Sequence, residues 1–161
     1  MPLVVVATQD HYGEYRALNT YPMLAANIER SPTDTPHATV LDALDAIELD
    51  QRRKRLERWE ETYKDRRNDR RTVSETQQIS RLLAGGQIET LLVSQDAVKH
   101  GSVGKDGTVA FAERPGPEAY DVYDDIVRRA LDTGVAVLPV RSDEAAFASL
   151  GPLAATLRWP Q

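Results

Sequence analysis

The 161-residue sequence predicts an α/β fold, an α/β/α sandwich built on a mixed sheet of four or five strands with helices on both faces. Three observations lead there. Short, largely apolar runs at residues 3–7, 88–94 and 135–140 read as buried strands. Amphipathic helical patterns lie between them, and glycines (Gly85-Gly86, Gly134) stand where helix gives way to strand.

Taken in order, Leu3-Val-Val-Val-Ala7 is a strand, and residues 13–24 read as a helix with Tyr15, Leu18 and Tyr21 inward, stopped near Pro22. Residues 27–38 contain Ser31-Pro32, Thr33-Asp34 and Thr35-Pro36 and read as a connector. A long helix follows from about Thr39 to Arg67. Val40, Leu44 and Ile47, then Leu56, Trp59 and Tyr63, each keep the three-or-four spacing of one stripe. Between Asp50 and Arg55 the stripe vanishes, so the helix should project, bend or divide there.

Ser74-Glu-Thr-Gln77 has the form of a capping box for the next helix, with Ile79, Leu82 and Leu83 inward. Gly104-Lys-Asp-Gly107 between Val-containing flanks indicates a hairpin over residues 101–111. Residues 118–133 follow as an amphipathic helix with Tyr120, Tyr123, Ile126, Val127, Ala130 and Leu131 inward. Residues 141–152 read as a loop with a helical turn near Glu144 to Phe147, and residues 153–159 as a terminal edge strand.

The chain has no Cys, which excludes disulfides, thiolate metal sites and Cys nucleophiles. The apolar N-terminal run is too short for a signal-peptide core or a membrane span, so the expected location is cytoplasmic, with no membrane partner. Net charge is −5, yet residues 51–71 hold ten of the twenty Lys and Arg against five acids. This segment supplies the candidate contacts for rRNA or another partner: Arg52, Arg53, Arg55, Arg58, Arg66, Arg67, Arg70 and Arg71. Trp59 and Tyr63 are either stacking partners for bases or, by their spacing, core residues. Glu57, Glu61, Asp65 and Asp69 make a solvated, ion-paired helix face the alternative reading.

A different chemistry is open to Asp10, Asp96 and Asp143, each of which follows a strand. In one parallel sheet they would share an edge and bind Mg²⁺ for phosphoester hydrolysis, with His11 as base. The histidines His11, His37 and His100 have no ligand spacing, and nucleotide-binding fingerprints are absent, so no cofactor is expected. Gly85-Gly-Gln87 matches the catalytic tripeptide of peptide-release factors. Here it sits between an amphipathic helix and a strand, which points instead to a glycine C-cap.

The order of elements from about residue 40 onward, with Ala84-Gly85 through Ser94 and Ala154-Ala-Thr-Leu-Arg-Trp159 as its most specific pieces, resembles the C-terminal third domain of the archaeo-eukaryotic class I release factor and Pelota-like family. Residues 2–7, Tyr15-Arg16 and Asn19-Thr-Tyr-Pro22 look like the end of the middle domain in bacterial members. The resemblance implies a division into residues 1–38 and a domain-3-like body at 39–161, related to kink-turn-binding ribosomal proteins. It also implies a non-catalytic module that contacts the ribosome and a translational GTPase, in termination, rescue or hibernation. Codon reading and ester hydrolysis belong to other domains in that family, so the expectation is a fragment or reduced relative without release activity. An N-terminal strand cut from its parent domain would also favour self-association.

Overall fold

The computed structural model describes residues 3–117, 119–141, 144 and 150–160. The chain divides into two compact units, Met1–Glu57 and Arg58–Gln161.

In the first unit, β1 (Leu3–Ala7) leads into α1 (Gln9–Leu18), which crosses over to β2 (Leu24–Glu29). The strands pair in parallel, Val5 opposite Asn27 and Val6 opposite Ile28. The helix predicted for residues 13–24 therefore lies earlier and shorter. Asn19 ends it: its side-chain oxygen accepts the Tyr21 N–H at 3.1 Å and its amide donates to Tyr21 O at 3.0 Å, giving the backbone a turn in place of another helical bond. Strand β2 replaces part of the helix and part of the expected connector. Leu-Ala-Ala-Asn-Ile-Glu has little strand propensity of its own, and its extension comes from pairing with the Val-rich β1.

Helix α2 (His37–Asn68) starts in this unit and is continuous through the segment where the apolar stripe lapses. Ion pairs occupy that segment instead. Arg53 bonds Asp50 at 2.8 Å, and Lys54 lies 2.7 Å from the same carboxylate. The Lys54 bond comes first among the causes that hold the Asp50 carboxyl below its ordinary range.

The second unit is built on a mixed four-stranded sheet of order β3-β9-β4-β8: β3 (Thr72–Val73), β4 (Ile88–Ser94), β8 (Ala136–Val140) and β9 (Leu153–Leu157). Strand β4 runs parallel to β8 and antiparallel to β9. The expected edge strand β9 is thus interior and buried along its whole length, because the dipeptide β3 covers its other side. On one face, α3 (Thr76–Ala84) and α4 (Val122–Asp132) enclose Ile79, Ile88, Leu91, Ile126, Leu153 and Leu157. Each such side chain, fully withdrawn from water, stabilises the fold by about 1.5–3 kcal/mol. On the other face, Trp59 of α2 donates its indole N–H to Thr90 Oγ1 at 2.9 Å, and Thr90 bonds Thr156. Helices therefore sit on both faces of the sheet.

The inward face of α4 is largely the expected one, with Tyr123 and Val127 packed against the core beside Ile126 and Ala130. Val122, Ile126 and Ala130 are buried, whereas Tyr120 and Leu131 are exposed, the latter at 60 %. Tyr120 and Asp121 form a short strand β7, and the Asp121 carboxylate caps α4 through the Tyr123 N–H. With β5 (His100–Val103) and β6 (Val109–Phe111), the predicted hairpin, β7 completes a three-stranded sheet. Asp125, only 4 % exposed, pairs with Arg128 and Arg129. Arg129 in turn donates to Val103 O at 2.7 Å and Gly104 O at 2.6 Å, tying the small sheet to α4. At α3, Glu75 and not Ser74 is the N-cap: its carboxylate reaches both the Gln77 and Gln78 N–H groups, a charge-assisted arrangement that a serine hydroxyl cannot match. The loop turn expected near residues 144–147, Glu144 apart, lies outside the described residues.

Candidate nucleic-acid interface

Five arginines gather where α2 ends and β9 stops: Arg66, Arg67, Arg70, Arg71 and Arg158. The local backbone explains why. A strand end leaves carbonyls without ladder partners. Arg66 donates to Leu157 O at 3.0 Å, while Arg71 donates to Leu157 O at 2.9 Å and to Arg158 O at 2.6 Å. Arg66 also holds Glu89 in an ion pair, with Arg71 at 3.8 Å from the same carboxylate. Burial, and then the neighbouring Arg71 charge, push the Arg66 guanidinium below its ordinary pKa. On the far side, the Arg158 N–H donates to Gln87 O at 3.0 Å and its Nε to Ile88 O at 3.1 Å.

The eight arginines nominated from sequence therefore separate by role. Arg66 and Arg71, with side chains 21 % and 26 % exposed, clamp the sheet edge. Arg53 is tied to Asp50 and Glu57 along its own helix. Arg52 is half-buried and Arg58 exposed. Arg55, Arg67 and Arg70 are exposed, and among the described residues none of them takes part in an ion pair. Arg70 adopts φ 56°, the left-handed region where a side chain is strained. It closes α2 as glycine ordinarily would, with Arg70 N–H bonding Arg67 O and Arg71 N–H bonding Arg66 O at 2.9 Å.

Trp59 and Tyr63 do not face a ligand. Both are buried and stack on each other with ring centroids 4.9 Å apart. The exposed indole at this end belongs to Trp159, 51 % accessible and directly after Arg158. Its sequence signal is an Arg-Trp pair just beyond the last apolar strand.

Gly85-Gly-Gln87 abuts the same cluster and forms a Schellman turn. The Gly86 N–H bonds Leu83 O and the Gln87 N–H bonds Leu82 O, each at 2.9 Å, with Gly86 at φ 69°. Gln87 is further pinned by the Arg158 N–H, and Ile88 beyond it is fully buried. The tripeptide is a helix-to-strand junction.

The carboxylates of the hydrolytic reading are placed differently. Asp10 is exposed in the first turn of α1, where His11 Nδ1 lies 3.0 Å from Thr8 Oγ1. Asp96 lies in the turn after β4, and Asp143 falls outside the described residues. The strands before Asp10 and Asp96 belong to separate sheets. Among the described residues no group of three His, Asp or Glu is placed to hold a metal ion. At the carboxyl ends of β4 and β8 there is a cleft of about 620 Å³, walled by Val127, Leu131 and Pro139, whose charged residues are Asp121 and Asp124. The second unit is thus cationic beside the start of β4 and anionic beside its end.

No family model and no curated protein matches the chain. Solved structures do. The C-terminal domain of the peptide chain release factor from Methanosarcina mazei matches at TM-score 0.61 and 15 % identity, over 78 % of this chain and 97 % of that one. Ribosome-bound archaeal Pelota, in a structure with ABCE1, matches at TM-score 0.64 and 16 % identity over 98 % of this chain. Saccharomyces cerevisiae Dom34, a translation termination-like factor that interacts with Hbs1, matches at TM-score 0.56 and 10 % identity over 99 %. The chain spans 43 % of the Pelota chain and 46 % of Dom34. No helix among the described residues is long and apolar enough to cross a membrane. The chain has the fold of the C-terminal domain of the release factor and Pelota proteins.

Proposed function

We propose that the chain is a non-catalytic, ribosome-contacting module of a bacterial release-factor-like protein, acting in the cytoplasm in termination, rescue or hibernation. The observation that carries this is the fold shared with a ribosome-bound Pelota, joined to exposed arginines at one end of that fold. Arg67 and Arg70 are assigned the contacts to rRNA phosphate at that end, and Arg66 and Arg71 the task of holding the surface that presents them. The Schellman turn at Gly85-Gly-Gln87 supports a module that docks and does not cleave. Dom34 interacts with Hbs1, which supports a translational GTPase as the protein partner. The isolated release-factor domain covers less of this chain than Pelota does, which supports assigning residues 1–38 to the end of a preceding domain and 39–161 to the docking body. The two-stranded β1–β2 sheet supports pairing of two copies through β1, which light scattering over a concentration series checks.

Co-sedimentation with purified ribosomes tests the proposal. The wild-type chain should pellet at low salt and be released as salt rises, and Arg67→Glu with Arg70→Glu should shift release to lower salt. Ribosome association that ignores both salt and these reversals would refute the arginine assignment. A Mg²⁺-dependent phosphoesterase activity lost in Asp10→Asn or Asp96→Asn would favour the hydrolytic alternative.

A further inference from the structure

The arginine end carries one feature that phosphate contact leaves unused, the indole of Trp159. It is half accessible, and the backbone that presents it is anchored on both sides: the Arg158 N–H bonds Gln87 O at 3.0 Å and the Arg158 carbonyl accepts from Arg71 at 2.6 Å. The backbone that leads into this exposed aromatic side chain is therefore held in place, which lowers the cost of ordering it against a ligand. The other tryptophan, Trp59, is 5 % exposed and serves the core. Beside Trp159 the chain places Arg158, its exposed sequence neighbour, and Arg71, whose guanidinium holds the Arg158 carbonyl at 2.6 Å; Arg158 is thus a guanidinium next to the indole that can also meet phosphate oxygens. An aromatic platform set beside a guanidinium group is the arrangement that binds unpaired nucleotides, because every base offers a π face and every linkage a charge. A duplex hides those faces in its own stack.

We propose that this end binds single-stranded RNA, one base stacked on Trp159 and the adjoining phosphate held by Arg158. The inference rests on the RNA-contact reading above and narrows it to an unpaired strand without base-edge readout.

The test is an anisotropy titration of a 5′-labelled short oligouridylate, and in parallel of a labelled RNA duplex of the same length, with the 161-residue chain, indole quenching being followed as well in the wild type. The single strand should quench the exposed indole and bind more tightly than the duplex. Trp159→Leu should weaken single-strand binding roughly 5- to 150-fold, the worth of one base–aromatic stack. Trp159→Phe, which keeps a ring, should recover most of that loss, and an unchanged thermal melt for both variants separates stacking from damage to β9. Undiminished oligouridylate binding by Trp159→Leu, equal affinity for the duplex, or no binding of the single strand at all would each overturn the proposal. If the leucine variant binds oligouridylate normally yet leaves the ribosome, Trp159 meets protein there and the stacking inference falls. If it behaves as wild type in both assays while Arg70→Glu leaves the ribosome, phosphate contact stands and stacking alone fails.

Discussion

Changing Gly86 to Ala should destabilise the second unit, while the same change at Gly85 should not. Gly86 has φ 69°, and a Cβ built there meets nothing within 4 Å. The cost is therefore conformational alone, about 1–2 kcal/mol for an L-residue forced into the left-handed region. In a chain of this size that corresponds to a fall in Tm on the order of 2–8 °C. Gly85 has φ −83°, and its added Cβ would lie 3.4 Å from Gln87 Nε2 and 3.6 Å from Arg81 O, ordinary contacts. Alanine there is expected to be neutral or to stabilise by a few tenths of a kcal/mol through the unfolded chain. Urea or thermal melts of the two single variants, side by side, read the difference. A free loop tip would tolerate both alanines equally, so equal melts would refute the junction reading of the tripeptide.

Arg70→Gly should act in the opposite sense. It relieves the side chain at φ 56° and should raise stability by up to about 1 kcal/mol while weakening ribosome association, read by a melt and a sedimentation assay on one sample. Trp59→Phe removes the donor to Thr90 Oγ1 and leaves a void above the sheet, with an expected loss of about 1–3 kcal/mol in a denaturant titration. Asp125→Ala leaves Arg128 and Arg129 without their shared carboxylate; because both guanidinium groups retain access to water, the expected loss is about 2 kcal/mol, with faster amide exchange in β5. The Asp106 carboxylate accepts the Thr108 N–H at 3.0 Å and the Thr108 hydroxyl at 2.8 Å, bonds that lower its pKa. The stability it lends is complete above the unfolded Asp value of about 4 and disappears as acid carries the pH down through the depressed folded value. NMR titration should find its midpoint below that value, and Thr108→Val should move it back up.

The strands legible from sequence were those that announce themselves by β-branched runs, residues 3–7, 88–94 and 136–140, and by a turn tetrapeptide, the β5–β6 hairpin. Those missed take their extension from a partner. Strand β2 is alanine-rich, and β3 and β7 are dipeptides; β9 was legible as a strand, but its interior place was not, because it depends on β3 pairing beside it. Helix α4 was legible with most of its inward face, but it starts later than expected because Tyr120 and Asp121 pair as β7 and Asp121 caps the helix, and buried Asp125 takes a position that periodicity gives to water. At the candidate site, charge clustering nominated the segment. It did not separate Arg66 and Arg71, which bind carbonyls of a strand some ninety residues later, from the exposed Arg67 and Arg70. Of the two readings open for Trp59 and Tyr63, the structure shows the core one, whereas the exposed indole, Trp159, reaches the cluster only through the fold.

The salt dependence of ribosome binding tests the central claim most directly. With purified ribosomes, log K against log salt should fall linearly for the wild-type chain, and each charge removed at Arg67 or Arg70 should flatten the slope by about 0.7–0.9. A flat line for the wild-type chain, or a slope unchanged in both variants, would contradict it.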